Sequence, residues 1–319
     1  MKVLVTGAAG LYGVHLVDRL VRQPDVDVVY GVDNFSRNFF ELDPFIPSPE
    51  HTAKFKQMRG WFQDMSVDML ERLDPDVIVH LAASVSIPES MESPEEYFLN
   101  NEYATFRFVH RLVKVKKRPV LIYASSPEVY GNPRYTPMDI NHPLYPRSVY
   151  AVTKLASEKH CRAIYEWYGH PVIIIRNFNT FGENQNIWGY TAVVPMFILQ
   201  ALRNEPLEIH GDGQQTRDFM YVKNAVAAYG EAVSRARELS GAIFNIGSGR
   251  QVSIRELAQQ VIAMTGSKSE IVHKPSRLAD IFALHADISE TQRVLRWRPD
   301  YTFEQGLERT IDWYRRHVA

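Results

Sequence analysis

The stretch over 3–21 constrains the fold of this chain more than any other part of its sequence. Three apolar residues come first, then three glycines at a spacing of three (Gly7, Gly10 and Gly13), then an apolar pattern of helical period over 14–21. This order predicts a short buried strand, a tight turn and the N-terminus of a helix. Glycines in such a turn let the backbone approach a pyrophosphate, and the helix end presents free N–H groups and positive charge to it. The stretch therefore predicts a phosphate site of the kind that holds a dinucleotide.

An acidic residue stands where a dinucleotide site needs one. A second apolar run over 28–32 ends in Asp33, about twenty residues after the glycines. A carboxylate there accepts the ribose hydroxyls of NAD and repels a 2′-phosphate, so we expect NAD rather than NADP. Arg37 is a counter-argument, since it could reach a phosphate. A glycine-rich turn that binds nothing is the alternative, because the spacing is not the commoner Gly-x-Gly-x-x-Gly.

Composition and charge exclude several classes of protein. The chain has 319 residues, of which 45% are hydrophobic, and its formal net charge is -1. That is enough for one large domain or two modest ones, with no charge bias toward nucleic acid or an anionic membrane. The single Cys161 excludes an internal disulfide framework. With no signal peptide, no membrane-length apolar run and no zinc-type spacing in the sequence, we expect a cytoplasmic protein without a metal site.

Apolar runs and helical patterns alternate over the first half of the sequence. The apolar runs lie at 77–83, 120–124 and 172–176, and the helical patterns lie at 67–73, 97–116 and 149–168. Strands that alternate with helices in this way form a parallel sheet covered on both faces. Pro44, Pro47 and Pro49 predict a loop over 39–51, and we expect 63–65 to end a strand.

The pattern changes beyond residue 178, where loops lengthen and helices lack regular strand partners. This indicates a smaller lobe that closes over the carboxyl edge of the sheet, where ligands of open α/β sheets bind. A helix over 224–237 and a strand over 242–246 would return to the sheet. We therefore predict a Rossmann-type doubly wound parallel sheet with a smaller, mixed α/β substrate-binding lobe. The NAD-binding part would cover 1–178 and 219–247, and the lobe would cover 179–218 and 248–319.

A tyrosine and a lysine in the second half of the sheet pattern can perform acid–base chemistry. Tyr150 and Lys154 are four residues apart on the helix predicted over 149–168, so both face the same way. A nearby cation favours the phenolate, which can take a hydroxyl proton while a hydride leaves the carbon. Ser126, at the end of a predicted strand, could bridge Tyr150 and a substrate oxygen. The spacing alone occurs by chance on many helices, but the order of glycine turn, Asp33, Ser126 and this pair indicates an oxidoreductase site.

These segments resemble the extended short-chain dehydrogenases that act on nucleotide sugars, the epimerase/dehydratase group. The resemblance covers nearly the whole chain. The segments that carry it are 6–13, 32–34, 80–83, 126–131, 150–154, 176–179, 211–219 and 297–299. It implies an NAD-dependent enzyme that acts on a nucleotide-diphosphate sugar, most simply a UDP-sugar. It also implies a homodimer in which the helices over 97–116 and 149–168, rich in apolar surface, pair across a two-fold axis into a four-helix bundle.

On the cofactor side, the resemblance implies contacts beyond the glycines, Asp33 and Arg37. Asp64 and Met65 would flank the adenine. Lys154 would hold the nicotinamide ribose while Tyr150 does the acid–base work. The remaining cofactor contacts would come from Leu11, Tyr12, Asn34, Leu81, Ala82, Ala83 and Asn100.

On the substrate side, the resemblance places Asn179 at the sugar diphosphate and His210 near the base. Arg217 and Arg277 would contact the pyrophosphate, since arginine binds a diphosphate in bidentate fashion. A surface salt bridge is the alternative for both arginines. The full set of implied substrate contacts is Ser84, Ser86, Ser126, Asn179, Val193, His210, Arg217, Arg277 and Asp280.

Two departures from the family pattern bear on the reaction. Many 4-epimerases have a small or neutral residue where Glu128 stands. Dehydratases and uronic-acid decarboxylases of the family carry a glutamate there, as the base that acts at C5. Pro127, however, replaces the aspartic acid that protonates the departing C6 hydroxyl in dehydratases of the thymidine-nucleotide type. Other dehydratases of the family have serine at this position, so dehydration stays open. Gly182-Glu183-Asn184 stands where the decarboxylases have Gly-Pro-Arg, and 185–195 resembles the epimerases.

We therefore expect 4-epimerisation through transient oxidation at C4. The alternative is 4,6-dehydration, or other C5 chemistry, with Glu128 as the base. An NAD-binding sensor without activity is a third hypothesis. Such relatives usually lose the tyrosine or the lysine, and both are present here.

Overall fold

The structure is a computed structural model that describes residues 1–36, 52–187, 192–276 and 281–318. The strands are β1 (Lys2–Thr6), β2 (Val28–Asp33), β3 (Phe55–Arg59), β4 (Val77–His80), β5 (Val120–Ser125), β6 (Val172–Asn177), β7 (Thr180–Phe181), β8 (Leu207–His210), β9 (Thr216–Arg217), β10 (Met220–Tyr221), β11 (Ile243–Ile246), β12 (Val252–Ser253) and β13 (Ile271–Lys274). The α-helices are α1 (Leu11–Val21), α2 (Val67–Leu73), α3 (Ile87–Glu92), α4 (Pro94–Tyr97), α5 (Ala104–Leu112), α6 (Val149–Tyr168), α7 (Val193–Leu202), α8 (Val222–Ser234), α9 (Ile254–Thr265) and α10 (Phe303–His317). Short 3₁₀ turns lie at Thr52–Lys54, Phe62–Asp64 and Pro127–Tyr130, and π turns lie at Phe98–Tyr103 and Thr291–Leu295.

Seven strands form one parallel sheet in the order β11-β6-β5-β4-β1-β2-β3. The chain moves outward from β1 through β2 and β3, then crosses back to β4 and continues outward on the other side. The strand order therefore reverses between β1 and β4, and the carboxyl ends of strands at such a reversal border a crevice where ligands bind. The predicted doubly wound parallel sheet is confirmed.

The central strands are buried on both faces, which explains their uninterrupted apolar runs. In β1, Val3 and Val5 face a core formed with α1 and α8, whereas Leu4 faces a second core formed with α5 and α6. Alternate residues of a strand point to opposite faces. Every residue of β4 and β5 is buried, so helices on both sides hold the sheet in place at the edge that carries the site.

Several helix limits follow from local signals that the sequence contains. The side chain of Ser148 accepts a hydrogen bond from the backbone N–H of Ala151 at the start of α6, and Gly169 ends that helix with a φ of 61°. Serine is a favoured N-cap, and glycine adopts the left-handed conformation at a helix end without strain. The predicted limits of α2 and α6 agree with the structure.

Several predicted elements are wrong in detail. The helix predicted over 224–237 is α8 at Val222–Ser234, and the apolar run at 77–83 is a strand only as far as His80. The helix expected over 97–116 begins earlier, at Pro94, contains the π turn Phe98–Tyr103 and ends at Leu112. The strand end expected at 63–65 is instead the 3₁₀ turn Phe62–Asp64, because β3 has already ended at Arg59. The loop predicted over 39–51 lies outside the described residues.

The remaining short strands form two-stranded pairs beside the large sheet. Strand β13 pairs with β8 in parallel, β12 pairs with β9 in antiparallel fashion, and β10 pairs with β7 in parallel. Helices α7, α9 and α10 pack with these pairs. Over the described part of the chain, none of the helices has the length and apolar character needed to cross a membrane.

Candidate active site

A cavity of about 1190 Å³ runs along the carboxyl edge of the sheet. It begins at the glycine-rich turn after β1, passes the N-terminal end of α6 and reaches β8 at the far side. Sites for one small molecule usually have about 300–1,000 Å³. The cavity is therefore large enough for two ligands placed end to end.

Two glycines of the turn leave no room for a side chain. Gly7 has a φ of 72°, and a Cβ added there would lie 2.7 Å from the backbone nitrogen of Ala82. A Cβ on Gly13 would lie 2.1 Å from the carbonyl oxygen of Gly7. Gly10 differs, because its φ is -79° and a Cβ there would have only one neighbour, at 3.4 Å. The backbone thus folds tightly against the loop after β4, and the first turn of α1 faces the cavity, with Gly10, Leu11 and Gly13 in its lining.

The Asp33 carboxylate joins the end of β2 to this turn. Its Oδ2 accepts a hydrogen bond from the backbone of Ala9 at 2.9 Å, and its Oδ1 accepts one from Phe35 at 2.8 Å. Asp33 and Asn34 both line the cavity, whereas Arg37 lies outside the described residues. Asp33 therefore lies beside the glycine turn, as predicted.

The predicted adenine contacts are placed differently. Asp64 is exposed, Met65 is buried in the second core, and neither lines the cavity. The cavity wall at this point is formed by Gly60, Trp61 and Phe62. The chain turns at Phe62, so the residues after it leave the cavity. Trp61 was not indicated by the sequence patterns, because they placed the end of the strand at 63–65 and so left Trp61 inside it.

Another wall is formed by the residues after β4, most of which are small. Leu81, Ala82, Ala83 and Ser84 line it, and Ser84 is held by the π turn of the next helix. There the Nδ2 of Asn100 donates to the Oγ of Ser84 at 2.9 Å.

Ser86 and Tyr12 lie further along the cavity and make their own protein contacts. The Oγ of Ser86 accepts a hydrogen bond from the backbone of Glu89 and so caps α3. The hydroxyl of Tyr12 donates to Thr180 at 2.6 Å, which ties α1 to the strand β7. The structure therefore brings Tyr12, Ser84, Ser86 and Asn100 to the cavity, as expected.

The middle of the cavity contains Tyr150, Ser126 and Glu128. Tyr150 is buried in the first turn of α6 and hydrogen-bonds with Ser126. Burial raises the pKa of the Tyr150 hydroxyl, the hydrogen bond with Ser126 opposes that rise, and the charge of the Glu128 carboxylate adds to it. Ser126 also accepts a hydrogen bond from the backbone of Glu128 at 3.3 Å and caps the turn that follows. The hydroxyl of Tyr150 thus interacts both with the Ser126 side chain and with the charge of Glu128.

Lys154 lines the cavity but does not act on Tyr150 in the expected way. Its Nζ donates to the carbonyl oxygen of Ala124 and lies 4.6 Å from the centre of the Tyr123 ring. Burial lowers the pKa of Lys154 to about 8, while Cys161 and Glu158 oppose that shift. The expected lowering of the Tyr150 pKa by this cation is therefore not found. The lysine is directed toward the strand rather than toward the phenol.

The far end of the cavity contains the predicted substrate contacts that the structure describes. Asn179, Val193, His210 and Arg217 all line it, as predicted. The Oδ1 of Asn179 is buried and has no hydrogen-bond partner among the described residues. Arg147, which no sequence pattern indicated, also lines the cavity. The predicted Arg277 and Asp280 lie outside the described residues.

Comparisons with known proteins agree with this geometry. A family model described as GDP-mannose 4,6 dehydratase matches residues 4–310. A UDP-glucose 4-epimerase of Mycolicibacterium smegmatis is 32% identical over 316 residues, which cover 99% of each chain. A UDP-N-acetyl-alpha-D-glucosaminuronate decarboxylase of Bacillus cytotoxicus is 32% identical over 332 residues, which cover 98% of each. The crystal structure of a UDP-glucuronic acid 4-epimerase of Bacillus cereus, in complex with UDP-glucuronic acid and NAD, superposes with a TM-score of 0.91 at 28% identity and 99% coverage of both chains.

Proposed function

The chain belongs to the GDP-mannose 4,6 dehydratase family, and from that premise we propose that it is an NAD-dependent 4-epimerase of a UDP-sugar. One observation carries the choice of reaction. Glu128 is the carboxylate that lies beside Tyr150, and its neighbour toward Ser126 is Pro127. A 4,6-dehydration needs a base at C5 and an acid at the C6 hydroxyl, and proline cannot be that acid. Epimerisation at C4 needs neither group.

The cofactor would occupy the end of the cavity at the glycine turn. NAD, when bound, supplies reversible hydride acceptance. The turn at Gly7 and Gly13 fits a pyrophosphate, because neither position leaves space for a side chain and the helix N-terminus faces the cavity. Asp33 would accept the ribose hydroxyls. Lys154 would hold the second ribose and bring positive charge to the reacting centre.

Tyr150 would take the proton from the C4 hydroxyl as the C4 hydride departs. Ser126, which already hydrogen-bonds with Tyr150, would hold the C4 oxygen and pass the proton. After the 4-keto sugar has turned its other face, hydride returns to C4 and Tyr150 returns the proton to the oxygen. The sequence of steps conserves the atoms of the sugar and inverts one centre.

The nucleotide diphosphate would lie toward β8 and β9. The buried Oδ1 of Asn179 lacks a partner among the described residues, so a ligand donor there would satisfy it. Arg217 would bind the diphosphate and His210 would lie at the base, which relatives named as UDP-sugar enzymes suggest is uracil. This assigns the sheet to NAD and the smaller part of the molecule to the nucleotide sugar, as the sequence predicts.

A second function has one observation in its favour. The charge of Glu128 acts on Tyr150, so its carboxylate lies close to the reacting centre. Once C4 is a ketone, the hydrogen on C5 is acidic and a nearby carboxylate can remove it. That step would lead to 4,6-dehydration or to inversion at C5.

One experiment separates the two functions. Purified protein with NAD is incubated in heavy water with UDP-glucose, UDP-N-acetylglucosamine or UDP-glucuronic acid, and the products are examined by mass spectrometry and NMR. Inversion at C4 without loss of water and without deuterium at C5 supports the 4-epimerase. Loss of water, or deuterium at C5 that the Glu128→Gln variant no longer incorporates, supports the alternative. Conversion of none of the three sugars would contradict the UDP-sugar proposal.

We also propose that two copies of the chain pair through their exposed helix surfaces. Phe98 and Leu99 of the π turn are each 46% exposed, and Val152 of α6 is 48% exposed. Tyr103 and Phe106 extend the same apolar surface. Apolar side chains gathered on two neighbouring helices indicate a protein–protein contact, and an isologous pairing of this surface would form a four-helix bundle.

A further inference from the structure

A buried ion pair joins α6, the helix that carries Tyr150, to β6. Glu158 of α6 and Arg176 of β6 are 1% and 2% exposed. The Nη2 of Arg176 donates to one carboxylate oxygen of Glu158 at 2.6 Å, and its Nε donates to the other at 3.1 Å. This two-pronged geometry fixes both the distance and the orientation of the two side chains.

The pair is part of a larger buried network. Ser125 Oγ donates to the Glu158 carboxylate at 2.8 Å. The Nη1 of Arg176 donates to the Tyr130 hydroxyl at 2.8 Å, and that hydroxyl donates to Asn245 at 2.6 Å. The network thus joins α6 to β5, β6 and β11. An apolar pair of similar volume often stabilises a fold as well as a buried ion pair does, so stability alone does not account for it.

Three contacts align α6 with the end of β5. Tyr150, Lys154 and Glu158 are spaced four residues apart, so they lie along one face of the helix. They meet the last two residues of β5 and the residue that follows it: Lys154 bonds with the carbonyl of Ala124, Glu158 with Ser125, and Tyr150 with Ser126. A shift of α6 along the strand would break all three contacts together. Of these three helix residues, only Glu158 also bonds to a side chain of a second strand, Arg176 of β6.

We propose that Glu158, held by Arg176, is a positioning residue that fixes the register of α6 against β5 and so places Tyr150 and Lys154 for hydride chemistry. Glu158 does not line the cavity, so it acts through the two residues that do. The inference rests on the proposed roles of Tyr150 and Lys154. It adds a requirement that lies outside the cavity.

The charge of Glu158 gives this role a measurable signature. On its own helix, Lys154 is faced by Glu158 and by Cys161, whose buried thiol has a raised pKa and stays neutral. From β5 it is faced by the Tyr123 ring, and from β4 by His80, whose pKa burial lowers to about 3 so that it is also neutral. Glu158 is therefore the negative charge among these groups. Its loss, which also leaves the guanidinium of the pair uncompensated, makes the Lys154 ammonium easier to deprotonate.

The test compares two glutamates of the same helix. Glu158→Gln removes the buried charge, whereas Glu166→Gln is the control, because Glu166 makes an exposed ion pair with Arg162 at 2.8 Å. Glu158→Gln should lower kcat by about 10- to 100-fold with a smaller change in KM, since a displacement of about 1 Å at a catalytic group can cost about 100-fold. The alkaline limb of its kcat–pH profile should move down by about one pH unit. Glu166→Gln should match wild type in both.

A double variant separates the effect of helix register from the effect of charge. It can also be measured if Glu158→Gln does not fold. Glu158→Gln with Arg176→Met removes both buried charges, so its alkaline limb should lie near that of wild type while kcat stays low. If Glu158→Gln does not fold, the double variant is measured alone. Either folded variant with kcat within about twofold of Glu166→Gln, or Glu158→Gln with an unmoved alkaline limb, would overturn the inference.

Failure of the proposed function would be recognised separately. If wild type itself converts no nucleotide sugar, the affinity for NAD replaces kcat as the readout, since Lys154 is proposed to hold the ribose. Affinity that is weaker in Glu158→Gln than in Glu166→Gln then supports the positioning role. Equal affinity in the two variants then rejects it.

Discussion

Replacing Gly7 by alanine tests how the glycine turn is built. Gly7 has a φ of 72°, a conformation that costs other residues roughly 1–2 kcal/mol. The added Cβ would lie 2.7 Å from the backbone nitrogen of Ala82, and relieving such an overlap typically costs about 1–3 kcal/mol. We therefore expect Gly7→Ala to lower the free energy of unfolding by about 2–5 kcal/mol, measured by urea denaturation without NAD.

Gly10→Ala is the matched control within the same turn. Its φ is -79° and the nearest atom would be 3.4 Å from the added Cβ, so the loss should be about 0.5 kcal/mol or less, the difference between glycine and alanine before a helix. Calorimetric titration should nevertheless show weaker NAD binding to Gly10→Ala, since the methyl group stands where the pyrophosphate approaches. An equal loss of unfolding free energy in the two variants would refute the packing argument. Unchanged NAD affinity in Gly10→Ala would refute the assignment of this turn to the pyrophosphate.

Four further perturbations test the site and the assembly. Tyr150→Phe should reduce turnover by about 10²–10⁴-fold in a product assay while NAD stays bound, and a loss of less than about threefold would exclude it as the acid–base group. Lys154→Met should remove the rise in the free energy of unfolding that wild type shows between about pH 8 and 10.5, because burial lowers the pKa of Lys154 from 10.5 to about 8; an equal rise in the variant over that pH range would contradict this. Asp33→Ser should narrow the preference for NAD over NADP in binding titrations, and tighter NADP binding by wild type would contradict the role of Asp33. Leu99→Glu should give a monomeric mass by light scattering where wild type and the exposed control Met264→Glu are dimeric, and a monomeric wild type would reject the pairing surface.

The sequence predicts most of the sheet because its central strands are buried on both faces. Such strands are uninterrupted apolar runs in the sequence. The helices between them have caps, such as Ser148 and Gly169, that can be recognised from the neighbouring residues alone. The glycine turn and the position of Asp33 beside it follow from spacing in the same way. These features depend on residues that lie close together in the sequence.

Features that depend on distant partners could not be predicted. The π turn at Phe98–Tyr103 places Asn100 against Ser84, sixteen positions earlier, and no local preference encodes that contact. The ion pair of Glu158 with Arg176 joins a helix to the next strand and cannot be recognised from the spacing of residues in the sequence. Asp64 and Met65 were assigned by resemblance, but the turn at Phe62 directs them away from the cavity.

The position of β11 at one end of the sheet has a consequence for how the chain folds during its synthesis. Its register partner β6 is made about seventy residues earlier, as Ile174 pairs with Ile243 and Asn177 with Ile246. Until β11 emerges, β6 is an unprotected apolar edge strand, which is a template for pairing with other chains. Closing that edge requires a contact between residues far apart in the sequence, and such contacts form slowly. Nascent chains that stop short of Ile243 should therefore depend on chaperones to a degree that the finished protein does not.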